Sequence, residues 1–174
     1  MRINARARER FLSGLVAVAV AASLVALLVL WQGFRAVEPP SAFETVWARR
    51  ARDFAIPWKE RRSKNPLAND SAALQQGHEL YLADCATCHG VDGSGATRIG
   101  TNVYPRVPDL RATSTQSLTD GQIHFIVSNG VRFTGMPALD QVHRVSRDDA
   151  WKLVLFIRSL RPLSVRETGE QEQA

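Results

Sequence analysis

Cysteine is almost missing from this chain: Cys85 and Cys88 are the only two in 174 residues. A zinc site built from two cysteine pairs is thereby excluded, and His78, His124 and His143 lack the paired spacing of a zinc finger. Methionine is as scarce, with Met136 the only one besides Met1. No segment alternates apolar and polar residues strongly enough to read as a half-buried strand. The glycines at 90, 93, 95 and 100 are not followed by Gly-Lys-Ser/Thr, so they do not form a phosphate loop. The net charge of +5 has no concentrated source near the cysteines. Residues 1–70 carry 12 basic and 6 acidic side chains, and residues 71–163 carry 9 and 8. Without a basic patch interleaved with aromatics, nucleic-acid binding is not expected. Charge is absent altogether from Phe11 to Gln32.

What is present is concentrated in Cys85-Ala86-Thr87-Cys88-His89. Two thiols separated by two residues and followed at once by histidine read as a covalent haem attachment site. Residues three apart share a helix face, so Cys85 and Cys88 can meet the two vinyl groups of one porphyrin. His89 then comes under the ring as the proximal iron ligand. A thioredoxin-like dithiol needs a strand–turn–helix setting, which the pattern does not provide.

The uncharged run from Phe11 to Trp31 is long enough as a helix to cross a bilayer. Arg2, Arg6, Arg8 and Arg10 precede it and predict a cytoplasmic N-terminus. The run exceeds a normal signal-peptide core, and no clear Ala-x-Ala site follows Leu30, so an uncleaved anchor is expected. Ser13, Gly14, Ala17 and Ala21 place small residues near one face of that helix. The expected organisation is a basic N-terminus (1–10), a transmembrane anchor (11–32), an amphipathic helix and linker (33–70), a haem domain (71–163) and a polar tail (164–174).

Within 33–70, Ser41 and Glu44 match a capping box. Phe43, Val46, Trp47, Ala51 and Phe54 then fall near one helical face. This helix is expected to lie on the membrane, to dock on a partner, or to pack on the haem domain or on nothing fixed. Trp58 to Asn69 lacks apolar periodicity and reads as an extended linker.

In the haem domain, Asp70 or Ser71 starts a helix to about residue 84 with Leu74, Gly77, His78 and Tyr81 at helical spacing. Thr119 and Gln122 open a second, which carries Ile123, Ile126 and Val127 inward and ends at Asn129-Gly130. Ser146 caps the last, which buries a broad surface including Trp151 and Leu155 and stops before Pro162. The domain is all-α and small, and haem would supply much of its core. The Pro108 carbonyl is the candidate to hold the second nitrogen of His89. Met136 lies in Thr134-Gly135-Met136-Pro137, where the proline biases it away from helix. That presents a thioether on a stiff loop, as a soft second iron ligand requires. His78, His124 and His143 are its rivals, and Arg98, Arg106 and Arg132 are candidate propionate partners.

The runs QQGHELYLADCATCHGVDGSG, VPDL, FTGMPA and WKLVLFIRSL together make residues 72–163 resemble a class I c-type cytochrome, of the membrane-anchored, mono-haem bacterial type. The resemblance implies one haem c on Cys85 and Cys88, with His89 and Met136 as axial ligands. It implies that Gly77 and Tyr81 cross the last helix at Trp151 and Phe156. It also implies single-electron transfer between a protein donor and acceptor, by a free tethered carrier or by the cytochrome subunit of a membrane oxidoreductase. Residues 11–32 would contact lipid of the bacterial inner membrane, with the haem domain on the periplasmic or other extracytoplasmic side. A peroxidase-like haem enzyme, with His124 as distal residue, or a gas sensor would require Met136 to leave the iron.

Overall fold

The structure is a computed structural model that describes residues 5–32, 39–140 and 145–160. His143, Pro162 and the tail from 164 lie outside the described residues. The chain divides into two units, Met1–Glu38 and Pro39–Ala174. Among the described residues the secondary structure is helical and contains no strand.

The first unit is one helix, α1 (Ala5–Gln32). Its stretch Arg8–Trp31, 24 residues, is long and apolar enough to cross a bilayer and has its side chains on the outside. The Ser13 and Ser23 hydroxyls donate to the carbonyls of Arg10 and Ala19 at 3.0 and 2.9 Å. Those polar groups are thus satisfied within the helix, as a hydrocarbon environment demands.

The second unit begins with α2 (Ala42–Ala55) and the single turn α3 (Trp58–Arg61). Ser41 caps α2 by accepting from the Glu44 N–H at 3.2 Å. Glu44 does not complete a capping box, because its carboxylate accepts from the Tyr104 hydroxyl instead. The stretch after α2 is not an extended linker. Ile56 is buried, and α3 packs on α7 (Asp120–Asn129). Gly121 makes this possible, since a Cβ there would collide with the Glu60 carbonyl. Thr119 Oγ1 donates to the Arg61 carbonyl at 2.8 Å, and buried Asn65 donates to the Trp151 carbonyl at 2.9 Å. Docking here is done by backbone carbonyls and one amide, which a search for apolar periodicity cannot detect.

The core gathers around α4 (Ser71–Asp84), α7 and α8 (Arg147–Ser159). Asp70 caps α4 through Ala72 N–H and Ala73 N–H at 2.9 and 3.0 Å. Thr119 with Gln122, and Ser146 with Asp149, form full capping boxes on α7 and α8. Ala73, Gly77 and Tyr81 form the buried face of α4. A Cβ on Gly77 would strike the Lys152 carbonyl, so only glycine lets α4 and α8 approach this closely. Beside that crossing the Tyr81 and Phe156 rings lie 4.8 Å apart. Trp151 instead turns its ring onto His124 of α7, at 4.0 Å.

Two expectations for buried faces shift. On α7, Ile123 and Val127 are buried, Ile126 is only half-buried, and His124 is buried in its stead. On α8, the fully interior residues are Ala150, Leu153, Val154 and Ile157, while Trp151 and Leu155 are half-buried. Arg158 locks this end: it donates to Asp120 at 2.9 Å, to the Gln116 carbonyl at 2.7 Å and to the Leu118 carbonyl.

Candidate haem site

Helix α4 ends at Asp84, and the single turn α5 (Ala86–His89) follows directly. The N–H groups of Cys88 and His89 both donate to the Cys85 carbonyl, at 3.1 and 2.9 Å. This turn holds both thiols and the imidazole on one short stretch, as two thioethers and a proximal ligand require. Cys85 and Ala86 pack against the core cluster. The two cysteines are unpaired. Burial, then the neighbouring Asp84 and Cys88, pushes the Cys85 thiol up to about 12. A redox-active dithiol has the opposite setting, with its thiolate stabilised.

Tyr81, one turn before Cys85, is the residue whose second task the sequence reading missed. Its hydroxyl is buried and donates to the Gly90 carbonyl at 2.7 Å. It thereby ties α4 to the residue that ends α5. Burial raises the tyrosine pKa well above its ordinary value, which keeps the hydroxyl a donor.

The loop after His89 wraps back onto the turn. Gly95 N–H donates to the His89 carbonyl at 2.7 Å, and Thr97 Oγ1 to the Cys88 carbonyl at 3.0 Å. Gly95 has φ 71°, and a Cβ there would crowd the carbonyls of Val107 and Pro108. Only glycine fits on both counts. Asp109 and Arg111 fix the loop's exit through a two-pronged ion pair at 3.0 and 2.8 Å. Pro108 is thus held between two anchored segments.

Its carbonyl faces His89 and favours a proton on the imidazole, against the larger opposing effect of burial, which lowers the His89 pKa. The contact falls short of a full hydrogen bond, and His89 Nδ1 remains buried without a partner. A histidine directly after two unpaired thiols on the same turn, with the Pro108 carbonyl against its ring, is a donor set that fits covalently attached haem.

Met136 lies on a braced loop between α7 and α8. Its N–H donates to Thr134 Oγ1 at 3.1 Å, and its carbonyl accepts from Val131 N–H at 3.2 Å. Thr134 Oγ1 in turn donates to the Val131 carbonyl at 2.8 Å. Beside it, a Cβ on Gly135 would touch Val103, so this loop meets the 97–108 loop that folds over Cys88. Phe133, at the tip, has φ 62° and is 91% exposed. Strained, exposed positions of this kind are typical of functional loops.

The rival histidines have other tasks. His78 is on the surface of α4 and stacks on Phe156 at 4.8 Å. His124 is 2% exposed, stacks on Trp151, and its Nε2 lies 3.1 Å from the Arg147 carbonyl. Arg98, Arg106 and Arg132 all lie exposed.

Comparison with known proteins agrees with this geometry. Residues 72–157 match the family model described as cytochrome c oxidase, cbb3-type, subunit III. Among curated proteins none matches the chain. The matched stretch runs from the first turn of α4 to the last turn of α8 and contains Cys85-x-x-Cys88-His89. The chain is a c-type cytochrome carrying covalently attached haem c, with an apolar N-terminal helix suited to membrane anchoring.

Proposed function

We propose that this protein is a membrane-tethered carrier of single electrons, with Cys85 and Cys88 as the thioether sites and His89 and Met136 as the axial ligands. Haem c supplies a reversible Fe(II)/Fe(III) couple. The chain's residues set its properties. His89 and Met136 would fill both axial positions, leaving no place for substrate. The thioether of Met136 would favour the reduced state and raise the potential. The Pro108 carbonyl would accept a hydrogen bond from His89 Nδ1–H and fix the ring's orientation.

The observation that carries this reading is the pairing of the Cys85–His89 turn with a braced loop holding Met136, the one methionine apart from Met1. His124, the distal residue a peroxidase-like reading would use, is instead committed to Trp151 and the Arg147 carbonyl. The anchor would place α1 in the bacterial inner membrane with the haem domain on its extracytoplasmic side, where c-type haem is attached. Phe133 and Val91, both strongly exposed near the site, would contribute to docking of donor and acceptor.

Ferric optical and resonance spectra of the purified holoprotein test the ligand set. The expected result is low-spin iron with His/Met features and slow cyanide binding. High-spin iron that binds cyanide at once would overturn it. The family match adds a second form of the same chemistry: a permanent subunit of a membrane oxidoreductase. Extraction in mild detergent separates the two, because a carrier runs alone and a subunit co-purifies with its complex.

A further inference from the structure

Among the described residues, helix α2 leaves an aromatic face with no partner in its own unit. Phe43, Val46, Trp47 and Phe54 fall on one side of the helix at 100° per residue. Phe43 is 74% exposed, Trp47 56% and Phe54 89%. The Phe43 and Trp47 rings sit 6.0 Å apart, so the patch is continuous. No residue of α2 is buried.

The helix is nevertheless fixed in place. Its first turn is tied to the 97–108 loop by Tyr104 and Glu44, and Ile56 is buried just after its last turn. A frayed tail would have neither bond nor buried anchor. The exposed face therefore belongs to an ordered element that presents it outward.

We propose that this face is a lipid-binding surface that lies in the headgroup region of the bilayer crossed by α1. The proposal rests on the anchor reading given above. Three observations select lipid over protein as the occupant. From Gln32, the end of α1, to Ala42, the start of α2, is ten residues. Their reach is at most about 35 Å, so α2 cannot leave the neighbourhood of the membrane. The exposed side chains are Trp and Phe, which favour the interface between hydrocarbon and water. The charge is complementary to an anionic leaflet: Arg49, Arg50, Arg52, Lys59, Arg61 and Arg62 stand against Glu44, Asp53 and Glu60 over residues 41–62. Arg50 lies inside the aromatic stripe, and its long stem can snorkel to phosphate.

The test uses the full-length holoprotein in vesicles of phosphatidylcholine and phosphatidylglycerol. The haem is left oxidised, and each accessibility is taken as the difference from a nitrogen-purged sample, so that relaxation by the iron cancels. A nitroxide is attached at Phe54→Cys on the aromatic face or at Ala48→Cys on the opposite face. The ratio of collisions with oxygen to collisions with a water-soluble nickel chelate is then measured. The expected ratio is several-fold higher at position 54 than at 48. Trp47→Cys gives a second reading of the same face if Phe54→Cys does not fold. Equal, water-like ratios on both faces would overturn the proposal. So would a face that is wet in pure vesicles but shielded in native membranes, which would assign it to a protein partner. The optical spectrum of each sample reports the haem ligands separately, so failure of the electron-carrier reading is told apart from failure of this one.

Discussion

At the scale of single residues, the site divides into side chains that would meet haem and side chains that hold those in place. Met136 belongs to the first group. Met136→Ala is expected to keep the covalent haem but lose the low-spin His/Met spectrum. Its potential should fall by on the order of 100 mV or more, within the ~0.8 V span that axial ligands set. Redox titration and absorption spectra of one preparation check both. Tyr81 belongs to the second group. Tyr81→Phe strands the Gly90 carbonyl and should cost about 1–3 kcal/mol in denaturant unfolding of the holoprotein. His124 carries a pH signature. Burial lowers its pKa below the ordinary 6.5, so the unfolded chain binds the proton more readily than the folded one. Its contribution to stability is full above 6.5 and is lost as pH falls below that value towards the folded pKa. His124→Gln should flatten the fall in stability between neutral and mildly acid pH, measured as the difference between variant and parent so that haem-linked titrations cancel.

At the scale of elements, two glycines decide how helices pack. Alanine in an exposed helix is worth about 1 kcal/mol over glycine. At Gly77 that gain is overridden, because the new Cβ meets backbone of α8 that cannot swing aside. Overpacking of this kind costs about 1–3 kcal/mol, so Gly77→Ala should destabilise the protein in chemical denaturation. Gly121→Ala should do the same by pushing α3 off α7. The same pair shows what could be read from the sequence. The inward glycine of α4 stands out because Tyr81 repeats its face one turn on, and the caps at Asp70, Thr119 and Ser146 have their signatures beside them. The attachment motif and the Gly-Met-Pro loop are equally plain, since each is local and written in scarce residue types. Gly121 carried the same message as Gly77 and went unread, because its partner, residues 58–65, offers carbonyls rather than an apolar stripe. His124, a packing residue rather than an iron ligand, takes the buried place expected of Ile126 for a related reason: a histidine looks polar in a pattern, but here Trp151 covers its ring and the Arg147 carbonyl satisfies its nitrogen.

At the scale of the whole molecule, the folded unit extends beyond the stretch that matches the cytochrome family. Residues 56–65 are packed into it, and α2 is bonded to its haem-side loop. Replacing α1 by a cleavable export signal should release the holoprotein from the membrane pellet. A residual association with anionic vesicles should remain at low salt and weaken at high salt as its electrostatic part is screened, as sedimentation across a salt series would show. The nine-residue connector between α1 and α2 has a further consequence. In the tethered-carrier reading proposed above, the start of α2 would stay within about 35 Å of the end of α1, so a partner in the same membrane would meet the haem domain close to the bilayer. Confinement of this sort raises effective concentration to the millimolar range for a short tether. Docking at Phe133 and its neighbours, as proposed above, would then have no need of tight affinity. In that reading a weak complex would form often and, being weak, would dissociate quickly.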